Sequence, residues 1–303
     1  MSMTSNNQYD GQLLRKLWQE TVLPGASISD SPQRLMSLSR ACRSVSALLR
    51  VGYPEWEGAS AAACVRTGHG LFDLMLRMTG QSCPTADKLE LISEMYGLLN
   101  GISPCPDQSR ARLWDDAAAD ALEAYFRDKA AIPSAREQTA ACLCLLDWFY
   151  FMEDVEDEPW MQYLKATVNT WAASFNPEEG WRDTATETAL DRLEVLNRNS
   201  YMLLDPAHDS IVRAAFLHYS RKAADSPTLS HTALGRLYDL ATGGDSLPGE
   251  QEAARTAAAG LSRLESASAP GSDTRLYCTS YRIADLCRSI MGRMREEALG
   301  ATA

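Results

Sequence analysis

Histidine is scarce in this sequence, with only His69, His208, His218 and His231 among 303 residues. No two stand at HxxxH spacing, and none accompanies a serine or cysteine motif that a general base would activate. Each is therefore expected to be a structural histidine. No CxxC pair occurs among the eight cysteines, so neither a zinc ribbon nor a disulfide framework is expected. Cys142 and Cys144 stand two apart, which on a helix sends them to different faces. Phosphate loops are missing as well. TGHG (67–70) and TGGD (242–245) lack the strand–loop–helix setting of GxxxxGK[ST] or GxGxxG, and the second reads as a helix C-cap with Gly243 or Gly244 left-handed.

Long apolar runs are also absent, with none near the length of about 18 residues that a membrane span requires. The first residues, MSMTSNNQYDGQ, show no basic region leading into an apolar one, so the expected compartment is the cytoplasm. Positive charge is in short supply. Against 40 acidic residues stand 29 lysines and arginines, a formal net charge of −11. Such a field repels polyanions, which argues against nucleic acid and anionic membrane partners.

Alternating strand patterns bounded by turns are hard to find, and helical periodicity takes their place. Leu35, Leu38, Ala41, Cys42, Val45, Leu48 and Leu49 step by three or four, as one helical face requires. Leu113, Trp114, Ala117, Ala118, Ala121, Leu122, Tyr125 and Phe126 repeat the pattern. Capping boxes are expected at Ser134 with Glu137 and at Thr184 with Glu187. Turn clusters at 23–32, 52–58, 80–84, 100–107, 130–134, 156–159, 175–181, 204–209, 225–228, 242–249 and 267–272 then divide the chain. The expected helices are 10–22, 32–50, 59–79, 86–99, 111–129, 135–154, 159–175, 184–203, 208–224, 230–242, 249–267 and 273–298.

The expected fold is all-α, about twelve helices as antiparallel hairpins, in a helical-repeat solenoid, an α/α toroid or an irregular bundle. Residues 1–9 are expected to be a flexible N-terminal tail and 10–299 a single all-helical domain. ETALDRLEVL (187–196) and HTALGRLYDL (231–240) share Thr-Ala-Leu-x-Arg-Leu-x-x-Leu 44 residues apart, a spacing near that of helical-pair repeats.

The densest chemistry is DWFYFMEDVEDEPW, residues 147–160. From Ala140 to Met152 the only charged residue is Asp147, so the helix is expected to be buried all round. A buried lone carboxylate is costly, and Asp147 needs a partner. Further on, Glu153 and Asp157, like Asp154 and Glu158, stand four apart, one turn if the helix continues. Pro159 allows it to end there. Acids at a helix C-terminus oppose its dipole by about 0.3–1 kcal/mol each, so arginines, a cation or water must compensate. Arg275, Arg282, Arg288, Arg293 and Arg295 of the last helix are the expected partners, with Arg282 and Arg288 foremost. Asp115, Asp116 and Asp120 lie opposite an apolar stripe and read as a solvated face.

The pattern Glu153-Asp154-x-x-Asp157 after an aromatic helix locally resembles the aspartate-rich motif of class I terpenoid synthases. The resemblance covers under ten residues. It implies an all-helical, magnesium-dependent enzyme with Glu153, Asp154 and Asp157 on the metal and an isoprenoid diphosphate as substrate. The family's second metal site, Asn-Asp-x-x-Ser-x-x-x-Glu, has no match, since NRNSYMLLD (197–205) has the wrong spacing. Without a complete catalytic set, the expected function is a non-catalytic scaffold binding a protein or peptide partner in an inter-hairpin groove, with no cofactor and no metal. Asp147, Trp148, Glu153, Asp154, Asp157 and Glu158 are the candidate ligand-binding residues. A small-ligand site built on Asp147 and the nearby aromatics, with Trp148, Trp160 and Trp171 lining it, is the third reading.

Overall fold

Helix ends fall where caps and tertiary contacts put them. The computed structural model describes residues 5–22, 24, 31–53, 61–81, 83–103, 107–127, 133–151, 159–202, 206–226, 229–244 and 247–300. Among these the fold is all-α. The helices are α1 (Ser5–Leu17), α2 (Pro32–Arg50), α3 (Ala61–Thr79), α4 (Thr85–Ile102), α5 (Gln108–Arg127) and α6 (Ala135–Phe151). They continue with α7 (Pro159–Ser174), α8 (Thr186–Met202), α9 (Asp209–Asp225), α10 (His231–Thr242), α11 (Glu250–Ala267) and α12 (Asp273–Gly300). A π turn over Trp18–Val22 extends α1 and buries both its end residues. Helix α1 begins at Ser5, inside the segment the sequence suggested as a tail. No described helix is long and apolar enough to cross a membrane.

The caps account for individual boundaries. Ser31 accepts from the Arg34 amide at 3.2 Å, with Pro32 following in the first helical turn. At α6 the Glu137 amide donates to Ser134 Oγ at 3.2 Å and the Ser134 amide donates to Glu137 Oε2 at 2.8 Å, so that capping box forms as expected. The box expected at Thr184 does not. Thr184 Oγ1 is buried without a hydrogen-bond partner, and α8 begins at Thr186. Glu187 instead accepts from Ser230 Oγ, the residue that caps α10 by accepting from the Ala233 amide. Helix α5 starts three residues earlier than its periodicity suggested because Asp107 accepts from the amides of Ser109 and Arg110 at 2.9 and 3.3 Å.

The contacts divide the chain into two compact units, each discontinuous in sequence: residues 1–83, 94–114 and 262–303, and residues 84–93 with 115–261. In the first, α12 lies along α2, which also packs on α3, and α1 packs on α12. Arg40 of α2 is buried with its guanidinium 4.1 Å from the Tyr281 ring centre. Gly97 and Gly101 of α4 leave room for the Arg43 side chain, since a Cβ at Gly101 would stand 2.6 Å from Arg43 Cγ. Thus accommodated, Arg43 reaches Glu94 at 2.9 Å.

Helix α8 is the centre of the second unit. None of its residues from Thr186 to Ser200 is exposed, and α6, α7, α9 and α10 all pack against it. Helix α6 is buried on nearly every side up to Phe149, as its unbroken apolar run implied. Cys142 and Cys144 point to different faces and are both buried, because both faces are covered. Burial raises both thiols above their ordinary pKa, leaving them protonated. The seven described cysteines are all free, and Cys105 lies outside the described residues.

Candidate functional site

Asp147 is the sequence candidate that the structure describes most fully. It is 4% exposed, on the face of α6 that meets α8. Arg198 of α8 donates to Asp147 Oδ1 at 2.5 Å, and Ser93 of α4 donates to Oδ2. Its partner is thus internal, an arginine 51 residues away and a hydroxyl 54 away. A carboxylate that holds a guanidinium and a hydroxyl in this way is a structural ion pair.

Trp148, next along, turns outward. Its indole nitrogen donates to Asp115 Oδ1 at 2.8 Å, and its ring packs 5.0 Å from that of Trp160. Asp115 is therefore half-buried beneath the indole rather than fully solvated, while Asp116 and Asp120 are exposed as their position opposite the stripe implied. Leu113, counted in the apolar stripe, is 46% exposed. Around Trp148 an aromatic cluster grows. Phe126 stacks on Trp160 at 5.6 Å and meets Tyr163 edge-on at 5.0 Å, and the Tyr125 and Tyr163 hydroxyls are 2.9 Å apart. Trp171 packs elsewhere, under the Arg192 guanidinium at 5.2 Å. These rings fill space between α5, α6 and α7.

Glu153, Asp154, Asp157 and Glu158 lie outside the described residues. Two of the arginines expected to answer them form ion pairs with other acids: Arg282 pairs with Glu265 at 3.4 Å and Arg293 with Asp10 at 2.5 Å. Among the described residues no group of three or more His, Cys, Asp or Glu side chains converges as a metal site.

The structure adds a site that sequence reasoning passed over. Between α9 and the turn joining α7 to α8 lies a groove of about 680 Å³, lined by Pro177, Glu178 and Glu179 on one side and by α9 from Ala214 to Asp225 on the other. The turn is rigid for local reasons. Asn176 and Gly180 exchange backbone hydrogen bonds at 3.3 and 2.7 Å, and Asn176 Oδ1 accepts from the Glu178 and Glu179 amides. Gly180 has φ +71°, and a Cβ there would stand 2.6 Å from the Tyr219 hydroxyl. The next residue, Trp181, is clamped twice: its amide donates to that hydroxyl at 3.2 Å and its indole donates to the Trp171 carbonyl at 2.8 Å. That second bond satisfies a carbonyl in the last turn of α7, where no helical amide remains to do so.

Half-buried Ala214 and Leu217 make the apolar part of the lining. His218 stands on the same face, its ring hydrogen-bonded to the Pro177 backbone. Burial pulls its pKa below the ordinary histidine value, the Pro177 contact opposes that, and Lys222 adds to it. It is accordingly neutral at pH 7. Lys222 donates to Thr186 Oγ1 at 3.0 Å, and Glu179 is taken up by Arg182.

No family model, curated protein or solved structure matches this chain.

A second group missed in the sequence is Asp191 of α8, paired with Arg236 of α10 at 2.6 Å. Burial raises its pKa to about 6, with Arg236 opposing the rise and Glu90 adding to it. Glu90 and Asp87 are themselves bound to Arg136, at 2.8 and 2.6 Å. The only sequence signal was the Thr-Ala-Leu-x-Arg-Leu echo, whose copies fall on the packed helices α8 and α10. Its two matched arginines do different work, since Arg192 pairs with Asp183 at 3.1 Å.

Proposed function

We propose that this protein is a non-catalytic helical scaffold that binds a peptide segment in the groove between α9 and the 176–180 turn. The observation that carries this reading is the groove's construction: a wall fixed by Gly180, Trp181 and Tyr219, an apolar strip at Ala214 and Leu217, and charges around it. Recognition sites are largely pre-formed concavities of about 300–1,000 Å³ with apolar lining and a few placed polar groups. Supporting it on the other side, Asp147 is engaged by Arg198 and Ser93, which removes it from any shared cation site with the acids downstream.

A random peptide library panned on the full chain tests this. Enriched sequences are expected whose binding is lost in Leu217→Trp, a change at the half-buried lining that fills the groove. Failure to enrich any sequence, or enrichment that Leu217→Trp leaves intact, overturns it. Thermal unfolding with magnesium and pyrophosphate provides the other arm. A stabilisation lost in Asp154→Ala would replace the scaffold with the magnesium-dependent diphosphate enzyme that the Glu153–Asp157 motif suggests.

A further inference from the structure

Cys42 of α2 and Cys64 of α3 meet inside the first compact unit. Their sulfurs are 3.6 Å apart, and both side chains are almost wholly buried. Each sulfur also lies 3.4 Å from the other residue's backbone carbonyl oxygen. Such reciprocal contacts require the two backbones to approach closely, and Gly68 allows it. It stands one turn beyond Cys64, and a Cβ there would already be 3.5 Å from Cys42 Sγ. A disulfide needs Cα atoms about 4.4–6.8 Å apart and sulfurs bonded at about 2.05 Å. The two sulfurs have to close by roughly 1.5 Å, which rotation of the side chains can supply.

The two thiols are not equivalent. The contact with Cys64, then burial, pushes the Cys42 thiol well above its ordinary pKa, and Arg43 opposes the rise. Cys42 therefore keeps its proton. Cys64 lies in the first turn of α3, two residues from exposed Ala62, where a helix opens most readily. The thiolate is the reacting form of cysteine, so Cys64 is the residue that meets an oxidant. We infer that Cys42 and Cys64 are a peroxide-oxidised pair, Cys64 reacting first and Cys42 closing a disulfide that staples α2 to α3. The Cys64 thiolate attacks one peroxide oxygen, the O–O bond breaks, and hydroxide leaves with the proton that Cys64 gave up. Cys42 Sγ then attacks the sulfenic sulfur. The S–S bond forms, the S–O bond breaks, and the oxygen departs as water with the Cys42 proton. Two thiols and one peroxide thus give one disulfide and two waters. The pair belongs to the first compact unit and the groove to the second, so the peptide reading stands or falls separately.

The test treats the folded, fully reduced chain with hydrogen peroxide, unfolds it in iodoacetamide and maps the product by mass spectrometry. The peptides carrying Cys42 and Cys64 are expected to be joined, with the other six of the eight cysteines alkylated. That bond closes a loop between residues 22 apart and so restricts the unfolded chain. The melting temperature is expected to rise by about 5–10 °C and to fall back on reduction with dithiothreitol. In Cys42→Ala, peroxide is expected to leave the melting temperature unmoved and dimedone to trap the Cys64 sulfenic acid that Cys42 would otherwise consume. The wild-type map needs no variant and decides the pairing by itself. Cys287 of α12 lies near enough to Cys64 to feel its charge and is the competing partner. A Cys64–Cys287 bond, alkylation of all eight cysteines, or oxidation of Cys64 past the sulfenic acid without a bond overturns the inference.

Discussion

Asp147 shows how a single side chain sets its own requirements. Its carboxylate is buried, and the fold answers with Arg198 and Ser93. Removing one partner leaves a charge in low dielectric, which costs about 3–5 kcal/mol, whereas removing both charges together is often near neutral. Arg198→Ala is thus expected to lose several kcal/mol in urea unfolding. Arg198→Met with Asp147→Leu should recover most of it, and equal loss in the double variant would disprove the pairing. Gly180 is the second residue whose identity is fixed by geometry. At φ +71° any side chain is strained, and Tyr219 occupies the space a Cβ would need. Gly180→Ala is expected to cost about 1–3 kcal/mol in the same assay and to alter the near-UV signal of Trp181.

Whole elements obey the local code unevenly, and two caps of the same sequence type make the contrast measurable. Ser134 with Glu137 forms a complete capping box at α6, while Thr184 with Glu187 forms none. Ser134→Ala is expected to cost about 0.5–2 kcal/mol, and Thr184→Ala close to nothing, by chemical denaturation. The difference arises because Ser230 of α10 claims the Glu187 carboxylate from a distance of 43 residues. Local spacing could not register that competitor. Helix positions were nevertheless largely legible, since the periodic apolar faces and turn clusters placed the described helices within about three residues, except that α1 begins at Ser5, inside the expected tail. Deviations trace to particular contacts. Helix α4 runs on to Ile102 instead of ending near 99, and Ile102 is buried so close to Gly68 that a Cβ there would meet it at 2.8 Å.

At the scale of the whole molecule, titrating groups set the response to acid. Burial lowers the pKa of His69, His218 and His231 below their ordinary value, so folding favours their neutral forms. Their contribution to stability is complete above about pH 6.5, the unfolded value, and is lost as pH falls below it. Asp191 acts in the opposite sense. With its pKa raised to about 6, the folded state binds the extra proton between the unfolded carboxylate value near 3.9 and 6. It therefore costs stability above pH 6 and returns that stability as pH falls through the window. The melting temperature should drop from pH 7 to 6, and below pH 6 it should drop more steeply in Asp191→Asn than in the wild type. A matching profile for the two proteins would contradict the assignment.

The sequence by itself determined the helices, the near-complete burial of α6, a left-handed glycine at 243 or 244, which proves to be Gly244, and the need of Asp147 for a partner. Each follows from periodicity, side-chain size or backbone freedom over at most a few turns of chain. Only the tertiary structure decided who the partners are. Arg198 for Asp147, Arg236 for Asp191, Asp115 for Trp148 and Ser230 for Glu187 all come from 33 to 51 residues away. The groove likewise needs a turn at 176–180 and a helix face at 214–225 brought side by side. Such pairings depend on how helices pack, and packing is fixed by the shape of many apolar surfaces at once.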